Sequence, residues 1–322
     1  MSKARQAETT ELTVELSQVS VFYGEVVGLS SVDLGVGPGI TGIVGPNGCG
    51  KTTLMRTLTG LLAPREGQVR VLGADPFSSA AARVRIGFVP ATECFLDAVS
   101  ARRNLEIAFA ARGARPRLAR EQAERGLELV GLRADAARRY RTWSRGMRQR
   151  LKLALALVAD VDVVLLDEPF LGVDPPNRYQ LRQHIEALGA LGRTVLISSH
   201  LLHEVETITD RVAIFAHGRL LGHGPVADLL RELRKNHPHR VRIRADDPRG
   251  LMRALVALPH IRSVDFRGDD TVDFVTDEPD AAYRDLPGVI ASSGVLVRSV
   301  TSQDDTLEAL FRHVTQAGVA RL

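Results

Sequence analysis

A glycine-rich segment spanning residues 45–53, GPNGCGKTT, constrains the fold of this chain more than any other feature. It follows the apolar run Ile40–Val44 and precedes a stretch in which leucines recur at helical spacing, so we predict that it joins a strand to a helix. Its glycines allow successive backbone N–H groups to point into one cradle, and the start of the helix adds positive potential there. The segment therefore predicts a phosphate-binding loop within an α/β fold.

The polar side chains of this loop are suited to a nucleoside triphosphate and its Mg²⁺ ion. The ammonium group of Lys51 can reach the β- and γ-phosphates, and the Thr52 hydroxyl can hold Mg²⁺. We therefore predict ATP and Mg²⁺ as ligands. The loop residues expected to contact ATP are Gly45, Pro46, Asn47, Gly48, Cys49, Gly50, Lys51, Thr52 and Thr53.

A second motif, at residues 163–168, places two carboxylates directly after an apolar run. Val163–Leu166 is typical of a buried strand, whose end brings Asp167 and Glu168 to the sheet edge where ligands bind in open α/β folds. Asp167 is suited to holding Mg²⁺ through water, and Glu168 can polarise an attacking water as a general base. Together with the phosphate loop, the pair predicts a site for nucleotide chemistry.

The order of apolar and helical segments predicts two domains in the 322 residues. Strands and helices alternate up to about residue 225, which favours a mostly parallel sheet covered on both faces. Within this part, residues 101–139 are predicted to be helical. Beyond it the pattern changes to a small α+β domain that ends in a helix over residues 307–315.

Composition and charge limit the cellular setting. The two cysteines, Cys49 and Cys94, imply no disulfide framework and fit a reducing compartment. The polar start of the chain lacks the apolar stretch of a secretory signal, and no run approaches the roughly 20 apolar residues that span a bilayer. The net charge of +4 comes from basic residues spread along the chain, which indicates a solvated surface rather than a nucleic-acid partner.

Further segments resemble the ATPases of ABC transporters, in the order and spacing of that family. Residues 143–150, WSRGMRQR, resemble its signature segment, usually written Leu-Ser-Gly-Gly-Gln, and Gly172–Asp174 resembles the segment after its catalytic glutamate. His200 stands where the family has a switch histidine, and Tyr23 where the family stacks an aromatic ring on adenine. The resemblance covers residues 14–225.

This resemblance implies a fold and a domain plan. The fold is an α/β phosphate-loop (RecA-like) ATPase core with antiparallel β and helical subdomains, followed by the small C-terminal α+β domain. The plan comprises a flexible N-terminus, an ATPase domain, a helical subdomain within it and an accessory domain. These correspond to residues 1–13, 14–228, 95–150 and 229–322.

The resemblance also implies a mechanism in which two ATPase domains face each other head to tail. Catalysis would then fall to Glu168, His200 and Lys51. Each ATP would be held by the phosphate loop of one chain and the signature of the other, so a second copy or a homologous ATPase subunit is expected as a partner. The residues that would serve the partner's ATP are Ser144, Arg145, Gly146, Met147 and Asp174.

Three departures from the family pattern bear on activity. Trp143 and Arg145–Met147 alter the signature, and Phe170–Leu171 replaces small polar residues. The family usually has a glutamine, which touches Mg²⁺ and the attacking water, where this chain has Ala91. Glu93 could substitute for it only if the loop moves. We therefore expect hydrolysis that is slower, or more dependent on a membrane partner, than in relatives with the glutamine.

The segment SRGMRQRL at residues 144–151 and the C-terminal extension are most similar to ATP-binding subunits of ABC-2-type exporters, whose tails end in a segment like residues 306–311. This resemblance implies an integral membrane permease as a partner. It also implies a cytoplasmic location, peripheral on the inner face of the cell membrane through that partner. The C-terminal domain would stabilise a dimer, regulate activity or be a passive appendage.

Two other classes of protein remain as alternatives. Soluble ABC ATPases that act on ribosomes or DNA usually carry two ATPase modules or a long coiled coil between phosphate loop and signature, whereas here Lys51 and Ser144 are 144 − 51 = 93 positions apart. A module that senses ATP without hydrolysing it fits Ala91, but Glu168 and His200 favour hydrolysis.

Overall fold

The computed structural model describes residues 12–236, 238–303, 308 and 311. They form two compact units that divide between His223 and Gly224. The boundary predicted between residues 228 and 229 lies five residues further along the chain, within the helix Val226–Asn236. Most of the predicted flexible N-terminus and of the predicted last helix lies outside the described residues, as does most of the exporter-like tail segment.

The first unit contains β-strands and α-helices that alternate along most of its length. Its strands are β1 (Val14–Tyr23), β2 (Val26–Val36), β3 (Gly39–Val44), β4 (Glu66–Val71), β5 (Ile86–Val89), β6 (Val163–Asp167), β7 (Thr194–Ser199), β8 (Arg211–Ala216) and β9 (Arg219–Pro225), of which β9 runs across the division. Its helices are α1 (Lys51–Leu58), α2 (Ala80–Val84), α3 (Ala101–Ala111), α4 (Pro116–Leu129), α5 (Arg145–Val158), α6 (Pro175–Ala190) and α7 (Leu202–Glu206).

A six-stranded sheet in the order β5-β6-β7-β3-β8-β9 forms the centre of this unit. The pairings from β5 through β8 are parallel. Every residue of β6 and β7 is buried, which is why these strands are apolar runs without alternation. The mostly parallel sheet predicted from the sequence is confirmed.

A second sheet, of three antiparallel strands in the order β2-β1-β4, packs beside the first helix. Leu29 of β2 lies in one apolar core with Leu54 and Leu58 of α1. Burial of these side chains removes apolar surface from water, which stabilises the position of α1 and of the loop that precedes it.

Three helices, α3, α4 and α5, form a helical layer around Phe109, Tyr140 and Trp143. The prediction of helix throughout residues 101–139 is wrong, because α3 ends before Gly113, which has a φ of +95°. Pro116 then starts α4, where its missing N–H costs no helical hydrogen bond.

The second unit is the small α+β domain that the sequence predicts. It contains β10 (His239–Ala245), β11 (Ile261–Phe266), β12 (Thr271–Thr276) and β13 (Val297–Ser302), with α8 (Val226–Asn236), α9 (Pro248–Val256) and α10 (Pro279–Ser293). The strands form an antiparallel sheet in the order β11-β12-β10-β13, and Val241, Ile243 and Phe274 contribute to its core. Among the described residues, no helix combines the length and the apolar character needed to cross a membrane.

Candidate functional site

Four neighbouring strands of the six-stranded sheet end at one edge, and each is followed by a segment singled out from the sequence. Strand β3 leads into the phosphate loop, β6 into Glu168, β7 into His200 and β5 into Ala91. The register pairs Asp167 with Ser198, so the carboxylate motif and the histidine segment start side by side. Parallel pairing thereby assembles the site from distant parts of the chain.

The phosphate loop adopts a conformation that requires glycine. Gly50 caps the N-terminus of α1 with a φ of +110°, and a side chain there would also lie 2.6 Å from the carbonyl oxygen of Gly28. Cys49 is buried beside it, and burial raises the pKa of its thiol. The loop therefore presents backbone N–H groups and a helix start toward any bound phosphate, while its cysteine is kept protonated.

Lys51 is folded back over this loop and is 6% exposed. Its Nζ donates to the carbonyl oxygens of Gly45 at 2.8 Å and of Pro46 at 3.3 Å. It also lies 3.4 Å from Oε1 of Glu168. The Lys51 ammonium is therefore held at the loop that would bind the phosphates.

Thr52 and Asp167 form the part of the site suited to Mg²⁺. The Thr52 hydroxyl donates to Oδ2 of Asp167 at 2.9 Å, and the Ser198 hydroxyl donates to Oδ1 at 2.6 Å. Asp167 is 1% exposed, so its charge is compensated by these donors. A hydroxyl and a carboxylate are the oxygen ligands that Mg²⁺ prefers beside phosphate and water, so these residues fit the ion.

Ser198 belongs to the candidate site, although the sequence alone does not single it out. Its hydroxyl accepts a hydrogen bond from the backbone N–H of Glu168 at 2.9 Å while donating to Asp167. It therefore holds both carboxylate residues from the neighbouring strand. A hydroxyl at the end of the apolar run Val195–Ile197 was the available signal, since a polar group buried in such a run needs a partner.

Glu168 adopts a left-handed backbone conformation, with a φ of +49°. Such a conformation is unfavourable for a residue with a side chain and is kept only where surrounding contacts determine it. The contacts of the carboxylate are with Lys51 through Oε1 and with Nδ1 of His200, 2.8 Å from Oε2. The carboxylate is 13% exposed at the mouth of the phosphate loop, which is where an attacking water would need a base.

Tyr23 lies against the helix that follows the phosphate loop. Its hydroxyl is 3.5 Å from Oγ1 of Thr53. A Cβ atom at Gly28 would lie 3.0 Å from the edge of the Tyr23 ring. The ring is 44% exposed, so one part packs while another stays open to solvent. An open aromatic surface of this kind is suited to stacking on a base.

The signature segment lies at the N-terminus of α5. Ser144 caps this helix by accepting from the N–H of Met147 at 3.3 Å. The Arg145 side chain covers Gly172, where any Cβ would collide with it, and a Cβ at Gly146 would lie 3.3 Å from Oδ1 of Asp174. A hydrogen bond from Asn177 holds the pKa of Asp174 below its ordinary value.

These residues thus form a second group, separate from the phosphate loop of the same chain. The hydrogen bonds of described residues Ser144 and Asp174 run to residues of α5 and α6, and none runs to residues 45–53. Apart from the N–H of Met147, the first N–H groups of this helix have no partner within the helix, and groups of this kind suit an anion.

Two of the departures from the family pattern serve packing. Trp143 is 4% exposed and packs near Tyr140, with ring centroids 6.3 Å apart. Phe170 is also 4% exposed and belongs to the core under β6 and β7. Both side chains therefore fill the interior.

Glu93 is held by residues of the helical layer. The Tyr140 hydroxyl donates to Oε2 of Glu93 at 2.5 Å, and Arg148 lies 3.9 Å from Oε1. Burial, together with this hydrogen bond, raises the pKa of Tyr140 above its ordinary value. In this geometry the carboxylate of Glu93 contacts Tyr140 and Arg148, and its substitution for the glutamine stays a prediction.

Comparison with known proteins agrees with this architecture. The ABC transporter family matches residues 29–171. Daunorubicin resistance ATP-binding protein DrrA3 of Streptomyces coeruleorubidus is 33% identical over 300 residues, which cover 91% of this chain and 92% of that protein. Nod factor export ATP-binding protein I of Paraburkholderia xenovorans is 34% identical over 222 residues, covering 68% and 73% of the two chains. A solved ATP binding subunit of an ABC transporter superposes with a TM-score of 0.63 at 25% identity, covering 69% of this chain and 93% of that one.

Proposed function

This chain belongs to the ATP-binding proteins of the ABC transporter family, and on that premise we propose that it hydrolyses ATP to power a separate membrane-embedded permease of an ABC-2-type exporter. The observation that carries the proposal is the convergence of Lys51, Asp167, Glu168 and His200 on the phosphate loop. The names of its relatives support export, since one is a drug-resistance protein and another a Nod factor export protein.

Hydrolysis would use groups that already stand at the mouth of the loop. Lys51 would exchange its carbonyl partners for the β- and γ-phosphates, and Glu168 would polarise the attacking water. His200 would hold the Glu168 carboxylate in place through the bond at 2.8 Å. Thr52 and Asp167 would hold Mg²⁺, which neutralises charge on the phosphates when bound.

The active form would be a head-to-tail dimer. The chain has one phosphate loop and one signature segment. None of the described hydrogen bonds of Ser144 runs to the phosphate loop. The open helix start at Ser144 would therefore meet the γ-phosphate bound by a second copy. Separation of the pair after hydrolysis would pass motion to the permease.

A trapping experiment tests the dimer. Glu168→Gln should slow turnover, so that the chain with Mg²⁺ and ATP elutes as a dimer in size-exclusion chromatography with light scattering. Adding Gly146→Asp should return it to a monomer, because the new carboxylate meets Asp174 and repels the partner's phosphate. Gly288→Asp, at an exposed helical glycine in the second unit with open space around it, should leave the dimer intact. A dimer that survives Gly146→Asp would contradict the proposed arrangement.

A reconstitution experiment tests the link to a membrane. The neighbouring reading frame in the source genome is expected to encode a protein with several long apolar spans. That protein, purified with this chain into lipid vesicles, should stimulate ATP hydrolysis, and Lys51→Met should abolish the stimulation. Failure to associate with the membrane protein, alongside intact hydrolysis, would favour a soluble ATPase. ATP binding without phosphate release under both conditions would favour a sensing module.

A further inference from the structure

Lys152 of α5 is a buried cation that the proposed mechanism does not use. It is 2% exposed, and the ion pairs of the described residues include none with Lys152, so no described carboxylate lies within 4.0 Å of its Nζ. Burial lowers the pKa of this side chain. A charge placed in such a position needs hydrogen-bond acceptors to replace water.

The acceptors are three successive backbone carbonyls directly after β5. Lys152 Nζ donates to the oxygen of Pro90 at 3.0 Å, of Thr92 at 3.3 Å and of Ala91 at 3.4 Å. An ammonium group has three N–H donors, so this segment occupies all of them. The segment contains the position at which the family usually has glutamine and this chain has alanine.

The link joins the two groups of site residues described above. Lys152 lies on the same helix as the signature segment, because Ser144 caps the N-terminus of α5. The segment it holds continues from β5, whose Val89 pairs with Leu166, next to Asp167. A shift of α5 would therefore act on the backbone next to Asp167, the carboxylate proposed to hold Mg²⁺.

An apolar side chain at this position would serve packing alone. The neighbours Leu151 and Leu153 are both buried, and an apolar residue would avoid the desolvation that a buried ammonium incurs. The charge at this position therefore serves the segment that it holds and not the core around it.

We propose that Lys152 is a positioning residue that holds the segment 90–92 against the signature helix, and so fixes the backbone position of Ala91 beside the strand that ends at Asp167. Lys152 would thereby affect how the site is arranged during hydrolysis and not how tightly ATP binds. The kinetic part of this inference rests on the proposed ATPase activity, whereas the tether itself does not.

Lys152→Met tests the tether, with Arg112→Met as a matched control. Arg112 is also a cation of the helical layer that donates to backbone carbonyls of the sheet region, those of Val84 at 2.7 Å and Ile86 at 3.2 Å, but at the opposite end of β5. Hydrogen exchange of the peptide over residues 88–97 should accelerate by about tenfold in Lys152→Met and stay unchanged in Arg112→Met. Equal exchange in the wild type and Lys152→Met would overturn the proposal.

Steady-state kinetics test the positioning role. In Lys152→Met, kcat should fall by about tenfold, while the KM for ATP stays within roughly twofold because the phosphate loop is untouched. Arg112→Met should keep its kcat. Any gain in kcat from Ala91→Gln should be lost in the Lys152→Met background, since the glutamine would no longer be positioned. Independent, multiplicative effects of the two substitutions would overturn the coupling.

Lys152→Arg is a second variant that tests the tether if Lys152→Met does not fold. A guanidinium keeps both the charge and several donors, so exchange over residues 88–97 should stay close to that of the wild type. Exchange as fast as in Lys152→Met would overturn the tether.

The exchange measurement needs no nucleotide, so it decides the tether even where the ATPase proposal fails. If the wild type hydrolyses ATP and Lys152→Met changes neither kcat nor hydrogen exchange, this inference fails while the proposed function stands.

Discussion

His200 Nδ1 lies 2.8 Å from Oε2 of Glu168, across the ends of two neighbouring parallel strands. The other carboxylate oxygen lies 3.4 Å from Lys51 Nζ. The carboxylate is thus held between an imidazole and an ammonium, and these two contacts set its orientation. This preorganisation is what a general base needs, because hydrolysis then requires little rearrangement of the base.

Glu168→Gln should reduce phosphate release by about 100-fold or more, because an amide cannot accept the proton of the attacking water. ATP affinity should change little, since the phosphate loop and Thr52 remain. Single-turnover phosphate release and equilibrium binding of a fluorescent ATP analogue measure the two effects. Unchanged phosphate release would rule out Glu168 as the base.

Ala91→Gln should raise kcat by roughly tenfold. The substitution supplies a side chain that can reach Mg²⁺ and the attacking water at a segment already held by Lys152. Steady-state ATPase assays of the purified chain measure the change, and Ala91→Leu serves as a control of similar size without polar groups. A turnover that rises little with glutamine, or as much with leucine, would count against the role assigned to this position.

Tyr23→Ala should weaken ATP binding by about tenfold, in line with the loss of one stacked aromatic ring. Tyr23→Phe keeps the ring and removes only the long contact of 3.5 Å with Thr53, so its affinity should remain close to that of the wild type. Isothermal titration with a slowly hydrolysed ATP analogue measures both. Equal losses of ATP affinity in the two variants would show that the hydroxyl, and not ring stacking, contributes to binding.

Asp273 should make the second unit sensitive to acid. Its carboxylate is 2% exposed and accepts from Arg242 at 2.7 and 2.9 Å, with Arg267 at 3.4 Å. The hydrogen bond from Arg242 holds the pKa of Asp273 below its ordinary value. A depressed pKa in the folded state contributes stability that is complete above the unfolded value of about 3.9 and is lost as the pH falls through the folded value.

Asp273→Asn should therefore lower the stability of the second unit at pH 7 by about 1–2 kcal/mol and flatten its loss of stability below pH 4. Hydrogen exchange of β10 and β12 peptides measures this at pH values from 7 to 3. Asp269→Asn, at an exposed position in the same hairpin, is the control and should behave as the wild type. Equal acid sensitivity of Asp273→Asn and the wild type would contradict the assignment.

Much of the fold followed from local patterns. The loop at residues 45–53 and the strand ending at Asp167 were predictable because each is a contiguous segment whose residue types are dictated by its own backbone. The end of α3 was missed despite Gly113, since the surrounding helix-forming residues outweighed one glycine in the pattern. The break itself is local, because Gly113 has a φ of +95° and Pro116 starts α4.

The sequence by itself determined the phosphate loop, the carboxylate motif and the class of chemistry, because those features are read from neighbours along the chain. Only the tertiary structure decided the roles of Ser198 and Lys152 and the position of Glu93. Their hydrogen bonds join residues 30 to 62 positions apart. Such contacts depend on which strands pair and which helix covers them, and no local spacing of residue types encodes that.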